Sequence, residues 1–390
     1  MIIRSILDTD FYKLSIQNFI LTLYPDVEAE YAFHNRDKSM KFTSDAFNSI
    51  YEELHKMQSL ELTSKEYIWL KNQCIFSDVY LNFLSNYKFD LKQIDMKLND
   101  GDLEIRIKGK WVDIVLWEVP LMSLISEVYF KTIDRDWSND HDQQHALAKS
   151  KAVDLSDAKC TFTDFGTRRR RSRDVQETVV SAMKGVTGFS GTSNPYFAMK
   201  YGIKAIGTMA HEVICGLSAL ESINRPNKVA MEKWRNVYGG TLSIFLPDTY
   251  GIDSFLKDFD NNKADLWSGV RHDSGCPFEF TDKIVTHYKK LGINPHTKSI
   301  IFSDSLDVKK AIELRRYCLD SIQCTFGIGT HFSNDFKKLD GSKSKPLNMV
   351  IKLIKCNGQN VCKLSQNPEK AMGDPETIRL MNHLHFGKPL

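Results

Sequence analysis

The first 133 residues contain apolar patterns of both helical and extended type. Apolar positions recur three and four residues apart in four stretches, which predicts helices at residues 11–24, 44–60, 64–86 and 117–133. Strict alternation of apolar and polar positions predicts two strands, at residues 27–33 and 103–109. Pro120 falls in the first turn of the last helix, where its missing N–H costs no hydrogen bond. This part of the chain is therefore expected to form a mixed α/β domain.

From about residue 158 the pattern changes to short apolar runs, each followed by Gly, Asp, Ser or Thr and then by a helical stretch. The runs are KCTFTDFG, TGFSGTS, AIGTMAHE, GTLSIFLPDTYG, WSGVRHDSG, KSIIFSDS, CTFGIGT and NMVIKL. Such alternation is typical of βα units around a parallel sheet, and seven or eight units suit a barrel. We predict an α/β protein with an N-terminal α/β domain at residues 1–125, joined by residues 350–390, and a barrel domain at residues 126–349.

Composition and charge narrow the function classes. Hydrophobic residues make up 42% of the 390 positions, and 52 basic residues face 49 acidic ones, so the net charge is only +3. A broadly basic nucleic-acid-binding domain is not expected from this balance. Neither a signal peptide nor an apolar run of about 18 residues is visible. The eight cysteines form no CxxC pair, which is typical of buried thiols in a reduced compartment, so a cytoplasmic enzyme without a membrane span is expected.

One stretch, TFTDFGTRRRRSRD at residues 161–174, concentrates positive charge. Arginine fills five of the six positions from Arg168 to Arg173. The cluster suits a nucleic-acid patch, a solvated basic face or a pocket for a small anion. Cations at the start of a helix oppose its dipole, which favours the pocket. We expect Arg168 and either Arg170 or Arg173 to enter the pocket, and the others to point outward toward acids such as Asp174.

In βα barrels the chemistry lies at the carboxyl ends of the strands. The unusual residues of this chain occur there, namely Asp164, Arg168, Ser193, His211, Asp248, Arg271, Asp273, Asp304, Gly327 and Gly329. Asp304 could accept hydrogen bonds from two ribose hydroxyls or could simply cap a helix. Arg271 and Asp273, two apart, suit a sugar phosphate or a surface ion pair.

The remaining candidates also have two interpretations each. The two glycines of FGIGT (326–330) could expose backbone N–H groups to a phosphate or form an ordinary turn. His211 alone is more typical of a structural histidine than of a reactive one. HDQQH (141–145) has the spacing of a metal helix but lacks the glutamate of HExxH, so a solvated face is expected.

Taken together, the motifs resemble those of the nicotinate phosphoribosyltransferase family over nearly the whole chain. They are LDTDFYKL (7–14), LWEVPLMSLISE (116–127), TDFGTRRRRSRDVQET (163–178), GTSNPYFA (191–198), IGTMAHE (206–212), VRHDSG (270–275), HYKKLGINP (287–295), FSDSLD (302–307), FGIGT (326–330) and PLNMVIKL (346–353). The resemblance implies an irregular TIM-like barrel of the type II phosphoribosyltransferases with an added α/β domain. It also implies synthesis of nicotinate mononucleotide and pyrophosphate from nicotinate and phosphoribosyl pyrophosphate, coupled to ATP hydrolysis with Mg²⁺, in a homodimer whose active sites are shared.

The resemblance further implies a role for each matching residue. Phe165 would stack on the pyridine ring, Arg168 would contact it, and Tyr12 of the partner subunit would cover its other face. Asp304 would bind the ribose hydroxyls, and the FGIGT loop, with Gly327, Gly329 and Thr330, would bind the 5′-phosphate. Arg271 and Asp273 would meet the pyrophosphate and ribose. ATP would phosphorylate His211, which Asp248 would orient.

Two positions depart from the family pattern, and two others bear on the choice of base. Cys276 stands where an acid is common, and Val213 where an aromatic residue is common. Ser193 and Asn194 are neutral, whereas a nicotinamide enzyme would need an acid there, so nicotinate is the expected base. Quinolinate enzymes share only the barrel and lack the histidine motif. A nucleic-acid-binding module would instead show steeply salt-dependent affinity.

Overall fold

The computed structural model describes residues 1–364, 371 and 373–389. The strands are β1 (Glu28–Asn35), β2 (Ile94–Asn99), β3 (Asp102–Lys110), β4 (Phe162–Asp164), β5 (Phe189–Thr192), β6 (Lys204–Ala205), β7 (Ile244–Phe245), β8 (Gly269–His272), β9 (Ser299–Phe302), β10 (Gln323–Ile328), β11 (Phe336–Lys337), β12 (Lys343–Ser344), β13 (Met349–Cys356) and β14 (Gln359–Asn360). The helices are α1 (Phe11–Leu23), α2 (Ser44–Met57), α3 (Ser64–Lys71), α4 (Asp78–Ser85), α5 (Trp111–Ile114), α6 (Glu118–Thr132), α7 (His141–Asp157), α8 (Arg173–Met183), α9 (Pro195–Tyr201), α10 (His211–Leu220), α11 (Pro226–Tyr238), α12 (Ile252–Asp258), α13 (Asn261–Leu266), α14 (Pro277–Lys290), α15 (Val308–Cys318), α16 (Thr330–Ser333) and α17 (Pro375–Phe386).

The N-terminal part forms mixed α/β structure, as its patterns predict. The predicted strands and most of the predicted helices are present, but residues 64–86 form two helices, α3 and α4, rather than one. The break has a local cause. Cys74 takes a positive φ of 55°, and the Ser77 side chain accepts the N–H of Tyr80 as the cap of α4. A serine cap starts a new helix because it satisfies a free N–H group of the first turn.

The five-stranded sheet has the order β14-β13-β1-β3-β2, and all its pairs are antiparallel. Its strand β13 contains all but the first residue of NMVIKL (348–353), which the sequence pattern placed with the βα units. That assignment is wrong, because β13 pairs with β1, Tyr31 lying opposite Leu353. Antiparallel pairing leaves a strand's neighbour free to come from any part of the chain, so the local pattern does not identify the sheet.

The larger sheet has seven strands in the order β6-β5-β4-β10-β9-β8-β7, and every pair is parallel. Among its central strands, β4 is buried at all three positions, and the last three residues of β10 are buried as well, as expected of strands covered on both faces. The predicted irregular barrel with an added N-terminal domain is confirmed. Because the strands run the same way, their carboxyl ends meet at one mouth.

The segment that follows β14 of the N-terminal sheet contacts the barrel. Leu364 donates its N–H to the Thr249 carbonyl of the barrel, 3.0 Å away. His385 of α17 stacks on Tyr250 with 4.8 Å between ring centroids. Residues 349–360 therefore join the N-terminal sheet, whereas α17 packs on the barrel, and the domain boundaries at residues 125 and 349 stay a prediction. Within the described part of the chain, none of the helices is both long and apolar enough to span a membrane.

Candidate active site

The barrel mouth brings the candidate residues together. Asp164 ends β4, Ser193 follows β5, Asp273 follows β8 and Asp304 follows β9. His211 is the first residue of α10, which begins after the loop that leaves β6. The histidines of HDQQH, by contrast, are exposed on α7, as predicted for a solvated face.

His211 is enclosed by four polar side chains. Its Nδ1 lies 3.0 Å from Thr249 Oγ1, and its Nε2 lies 2.9 Å from Asp273 Oδ2 and 2.8 Å from Lys363 Nζ. Asp248 Oδ1 is farther away, 3.8 Å from the same Nε2. Thr249 therefore contacts Nδ1, whereas Asp248 lies at ion-pair distance from Nε2, and the role of Asp248 in orienting the ring stays a prediction. Asp248 also accepts from Ser274 Oγ at 2.5 Å and from Lys363 Nζ at 3.2 Å.

These surroundings keep the imidazole neutral. Burial and then the Lys363 charge lower the pKa of His211 to about 4, against the opposing pull of Asp248 and Asp273. Burial raises the pKa of Asp248, but Lys363 and His211 outweigh burial and hold that pKa below its ordinary value. A neutral imidazole between two carboxylates and an ammonium has a ring nitrogen able to act as a nucleophile at pH 7.

Lys363 is the principal site residue that the sequence did not indicate. It lies outside every motif quoted above, in the segment after β14, and the Cys362 carbonyl accepts from Cys215 Sγ of α10 at 3.3 Å. The only signal in the sequence is the neighbouring PLNMVIKL motif, which carries a second lysine, Lys352.

The arginines of TRRRRSR occupy different environments, and most of them are buried. Arg170 is fully enclosed and forms two hydrogen bonds to Asp8, at 2.6 and 2.9 Å. Arg173 lies 3.4 Å from the same carboxylate. Arg171 stacks 3.6 Å from the Phe130 ring centroid, within an apolar cage. The expectation that the arginines outside the pocket point outward is wrong for Arg170 and Arg171. An acid far away in the sequence, Asp8, binds Arg170, and aromatic rings enclose Arg171.

Only Arg168 and Arg169 are left partly exposed. Arg168 keeps 40% of its side chain exposed, and its closest acids are Glu118 at 3.5 Å and Asp10 at 3.8 Å. Tyr12 contributes most to raising the pKa of Arg168, ahead of Glu118 and Asp10. Tyr12 of the same chain therefore acts on Arg168 electrostatically, and a contribution of Tyr12 from a partner subunit stays a prediction.

Several cations around this mouth repel one another. Burial, Arg168 and Arg36 lower the pKa of Arg169 to about 10. Burial lowers the pKa of Lys352 to about 8, where Lys363 and Arg168 add to the effect and Glu118 opposes it. An anion bound among these groups would relieve both the repulsion and the loss of hydration.

Phe165 forms one wall of the mouth and rests on a glycine. A Cβ at Gly327 would lie 2.2 Å from the Phe165 ring, and one at Gly329 would lie 3.2 Å from the Phe165 carbonyl. The backbone N–H of Phe165 donates to the Ile328 carbonyl at 2.8 Å, which fixes the backbone at Phe165 against β10. Glycine at 327 therefore lets the ring lie flat on the strand beside Thr330, the first residue of α16.

The base-binding side is less neutral than the sequence suggested. Ser193 Oγ donates to Asp10 Oδ1 at 2.5 Å, so an acid does lie next to Ser193. Burial raises the pKa of Asp10 to about 6, with Arg168 and Ser193 acting in the opposite direction. Asn194 is fully buried, caps α9 and donates to Asp8 at 2.8 Å, which leaves it a structural role.

Asp304 does not serve as a helix cap. Asp307 caps α15 by accepting the N–H of Lys310, and Asp304 contacts Ser305 Oγ at 3.0 Å. Ser305 takes a φ of 52°, a region that side-chain-bearing residues occupy at a cost of about 1–3 kcal/mol and that is concentrated at functional sites. On β8, Arg271 Nη2 lies 3.8 Å from Asp273 Oδ2, so these two do form a loose ion pair.

Comparison with known proteins gives one consistent result. The sequence model of the nicotinate phosphoribosyltransferase (NAPRTase) family matches residues 160–389, and that of the NAPRTase N-terminal domain matches residues 7–126. A nicotinate phosphoribosyltransferase of Methanococcoides burtonii is 44% identical over 99% of this chain and 98% of its own. One of Saccharomyces cerevisiae is 40% identical over 97% and 94%. The fold is similar to a crystal structure of nicotinate phosphoribosyltransferase from Porphyromonas gingivalis, with a TM-score of 0.93, 36% identity and coverage of 98% and 99%.

Proposed function

The chain belongs to the nicotinate phosphoribosyltransferase family, and from this premise we propose that it joins nicotinate to phosphoribosyl pyrophosphate with the consumption of ATP. The products are nicotinate mononucleotide and pyrophosphate, a step of NAD biosynthesis. The observation that carries the proposal is the group of cations at the mouth. Arg169 and Lys352 have lowered pKa values there, although the Asp273 carboxylate acts on both in the opposite direction. A polyanionic sugar substrate suits this combination of charges.

The chemistry consists mainly of positioning and charge stabilisation. Loss of pyrophosphate from C1 of the ribose develops positive charge on the sugar and negative charge on the leaving group. Arg169, Arg271 and Lys352 supply the cations that stabilise the leaving group. The pyridine nitrogen then attacks C1, and Phe165 aligns the ring for that attack without any acid–base step. Arg168 is the group that pairs with the nicotinate carboxylate.

The donor set at the mouth fits Mg²⁺. Asp273 and Asp304 follow the adjacent strands β8 and β9 and offer carboxylate oxygens, which Mg²⁺ prefers together with phosphates and water. When bound, the ion would neutralise the charge of the pyrophosphate group. His211, Asp248 and Asp273 also have ligand atoms within 4.8 Å of one another. Lys363 Nζ contacts His211 and Asp248 there, however, so an ammonium already compensates their charge.

We further propose that His211 takes the γ-phosphate of ATP. Its neutral ring, its place at the first turn of α10 and the adjacent Lys363 ammonium all favour a negatively charged phosphate at this point. His211→Ala is expected to lose ATP hydrolysis but keep slow, ATP-independent synthesis, because the sugar and ring contacts come from other strands. Labelling from γ-labelled ATP should be acid-labile, base-stable and absent in the variant. Labelling that persists without His211 would identify another acceptor.

A homodimer with shared active sites is also part of the proposal, and it rests on the family resemblance. The residue expected from the partner subunit is Tyr12, which would cover the other face of the pyridine ring. Sedimentation of the protein at micromolar concentration tests the dimer. Mixing Tyr12→Ala with Arg271→Ala tests sharing, because a mixed dimer whose partner supplies Tyr12 has one site with both residues intact: activity recovered above the sum of the two variants supports sharing, and simple additivity contradicts it.

The choice of base is the decisive test of function. Pyrophosphate release should be measured with nicotinate, nicotinamide and quinolinate, each with and without ATP. We expect at least about tenfold higher kcat/KM for nicotinate than for nicotinamide, or about 1.4 kcal/mol. Asp10, which contacts Ser193, is the feature that favours nicotinamide as the alternative base. Equal turnover of both bases would contradict the proposal.

A further inference from the structure

A fully enclosed lysine holds two glutamates from different parts of the fold. Lys13 Nζ lies 2.5 Å from Glu118 Oε2 and 2.5 Å from Glu212 Oε1. Lys13 lies on α1, Glu118 begins α6, and Glu212 is the second residue of α10. These three residues, here termed the lysine triad, therefore join three helices at one point.

One end of the lysine triad reaches Arg168. Lys13 binds the Oε2 atom of Glu118, while Oε1 of the same carboxylate lies 3.5 Å from Arg168 Nη1. The contact to Arg168 is looser than the contact to Lys13, so the guanidinium keeps N–H groups free for an anionic ligand. Lys13 thus fixes the carboxylate that in turn orients Arg168.

The other end reaches the helix that carries His211. Glu212 follows His211 in the first turn of α10, and its Oε2 accepts from the Tyr31 hydroxyl at 2.5 Å. The Tyr31 hydroxyl accepts in turn from Trp111 Nε1 at 2.8 Å. Both carboxylate oxygens of Glu212 are therefore held, and α10 cannot turn about its axis without breaking charged hydrogen bonds in a buried environment, where such bonds are strong.

Glu118 of the lysine triad is shared among three cations. It lies 2.5 Å from Lys13 and 3.5 Å from Arg168, and Lys352 also lowers its pKa. An anion that pairs with Arg168 draws the guanidinium away from Glu118, which leaves Glu118 more dependent on Lys13. Because Lys13 binds both glutamates, a stronger contact with Glu118 weakens its contact with Glu212 and so shifts the first turn of α10.

We propose that Lys13 is a positioning residue that couples occupation of the base site at Arg168 to the placement of His211. The inference rests on the function proposed above and extends it. Lys13 touches neither substrate nor phosphate, and it acts only through the two glutamates. Productive ATP use should therefore depend on nicotinate binding, and the dependence should be lost when Lys13 is removed.

Lys13→Met tests this coupling, with Lys298→Met as the matched control. Lys298 is also buried, but its Nζ donates to the carbonyls of Asp265 and Trp267 at 2.7 and 3.0 Å, away from the mouth. Three quantities are measured per folded protein: KM for nicotinate, KM for phosphoribosyl pyrophosphate, and ADP formed per mononucleotide. For Lys13→Met we expect KM for nicotinate to rise at least about tenfold and ADP per product at least about threefold, while KM for phosphoribosyl pyrophosphate stays within about twofold.

The outcomes separate the coupling from a simple loss of stability. If both KM for nicotinate and ADP per product stay at the wild-type values, or if only one of them changes, the coupling is overturned. Lys13→Met combined with Glu212→Gln removes one buried charge of each sign and should remain folded and uncoupled. Failure of both variants to fold would make the triad a folding element and overturn the inference. Wild-type protein that forms no mononucleotide would instead contradict the proposed function itself.

Discussion

Lys363 Nζ lies 2.8 Å from His211 Nε2, although 152 positions separate the two residues in the chain. The ammonium also lies 3.2 Å from Asp248, and its charge opposes the carboxylates of Asp248 and Asp273, which raise the pKa of the imidazole. A neutral imidazole and a cation that can pair with an anion are thereby placed at one point.

Removal of the Lys363 charge should abolish phosphate transfer from ATP. In Lys363→Met, Asp248 and Asp273 act on His211 unopposed and raise its pKa, and no cation meets the incoming phosphate. We expect labelling from γ-labelled ATP to fall by at least about 100-fold, or about 2.7 kcal/mol. Lys310→Met, which removes a surface partner of Glu313, is the control and should label normally. Normal labelling of Lys363→Met would exclude this role.

Acid should affect stability through His211 in a defined direction. The folded pKa is about 4 and the ordinary value is 6.5, so between these values the unfolded chain binds the proton and the folded chain does not. Stability from this group is complete above about pH 6.5 and is lost as the pH falls toward 4. From pH 7 to 5 the loss is about 2 kcal/mol.

Urea unfolding of the wild type and of His211→Ala at pH 7 and pH 5 measures the pH-dependent stability that His211 contributes. The variant should lose less stability than the wild type over the same interval, because its residue 211 does not titrate. Equal losses in the two proteins would mean that His211 is already protonated in the folded state at pH 5.

A methyl group under Phe165 should disturb base binding. In Gly327→Ala the new Cβ would lie 2.2 Å from the Phe165 ring, so the ring must move from its place on β10. We expect kcat/KM for nicotinate to fall at least about tenfold, since a displacement of about 1 Å in a positioned group is costly. Gly240→Ala introduces a methyl group with no heavy atom within 4 Å and should leave kcat/KM unchanged. A fully active Gly327→Ala would mean that Phe165 does not align the base.

Two arginines of the cluster should separate activity from stability. Arg170→Ala leaves Asp8 buried without its main partner and should lower the free energy of unfolding by about 3–5 kcal/mol. Arg168→Ala removes a half-exposed group and should change stability by about 1 kcal/mol or less, but reduce transition-state stabilisation by about 2 kcal/mol or more. Denaturant unfolding and steady-state kinetics on both variants check the contrast. Similar effects of the two substitutions would show that the arginines contribute only a general positive potential and have no separate roles.

The residues at strand ends could be predicted from sequence because parallel strands bring their carboxyl ends to one edge. Asp273 and Asp304 each follow a recognisable apolar run, and the adjacent parallel strands β8 and β9 place them at the same edge of the sheet. The environment of the arginines could not be predicted in this way. Arg170 is enclosed because Asp8, 162 positions away, accepts two of its hydrogen bonds. Ser193 likewise contacts Asp10 across 183 positions, and no local pattern encodes that contact.

The position of β13 in the five-stranded sheet has a consequence for the order of assembly during translation. β13 emerges from the ribosome more than 300 residues after its partner β1, and it lies between β1 and β14. Until then one edge of β1 has no strand to pair with, and the exposed edge favours intermolecular pairing. Lys352 and Lys363 arrive with the same late segment. A nascent chain released before this segment would lack both the completed sheet and the lysines of the site, so it is expected to be inactive and prone to aggregation.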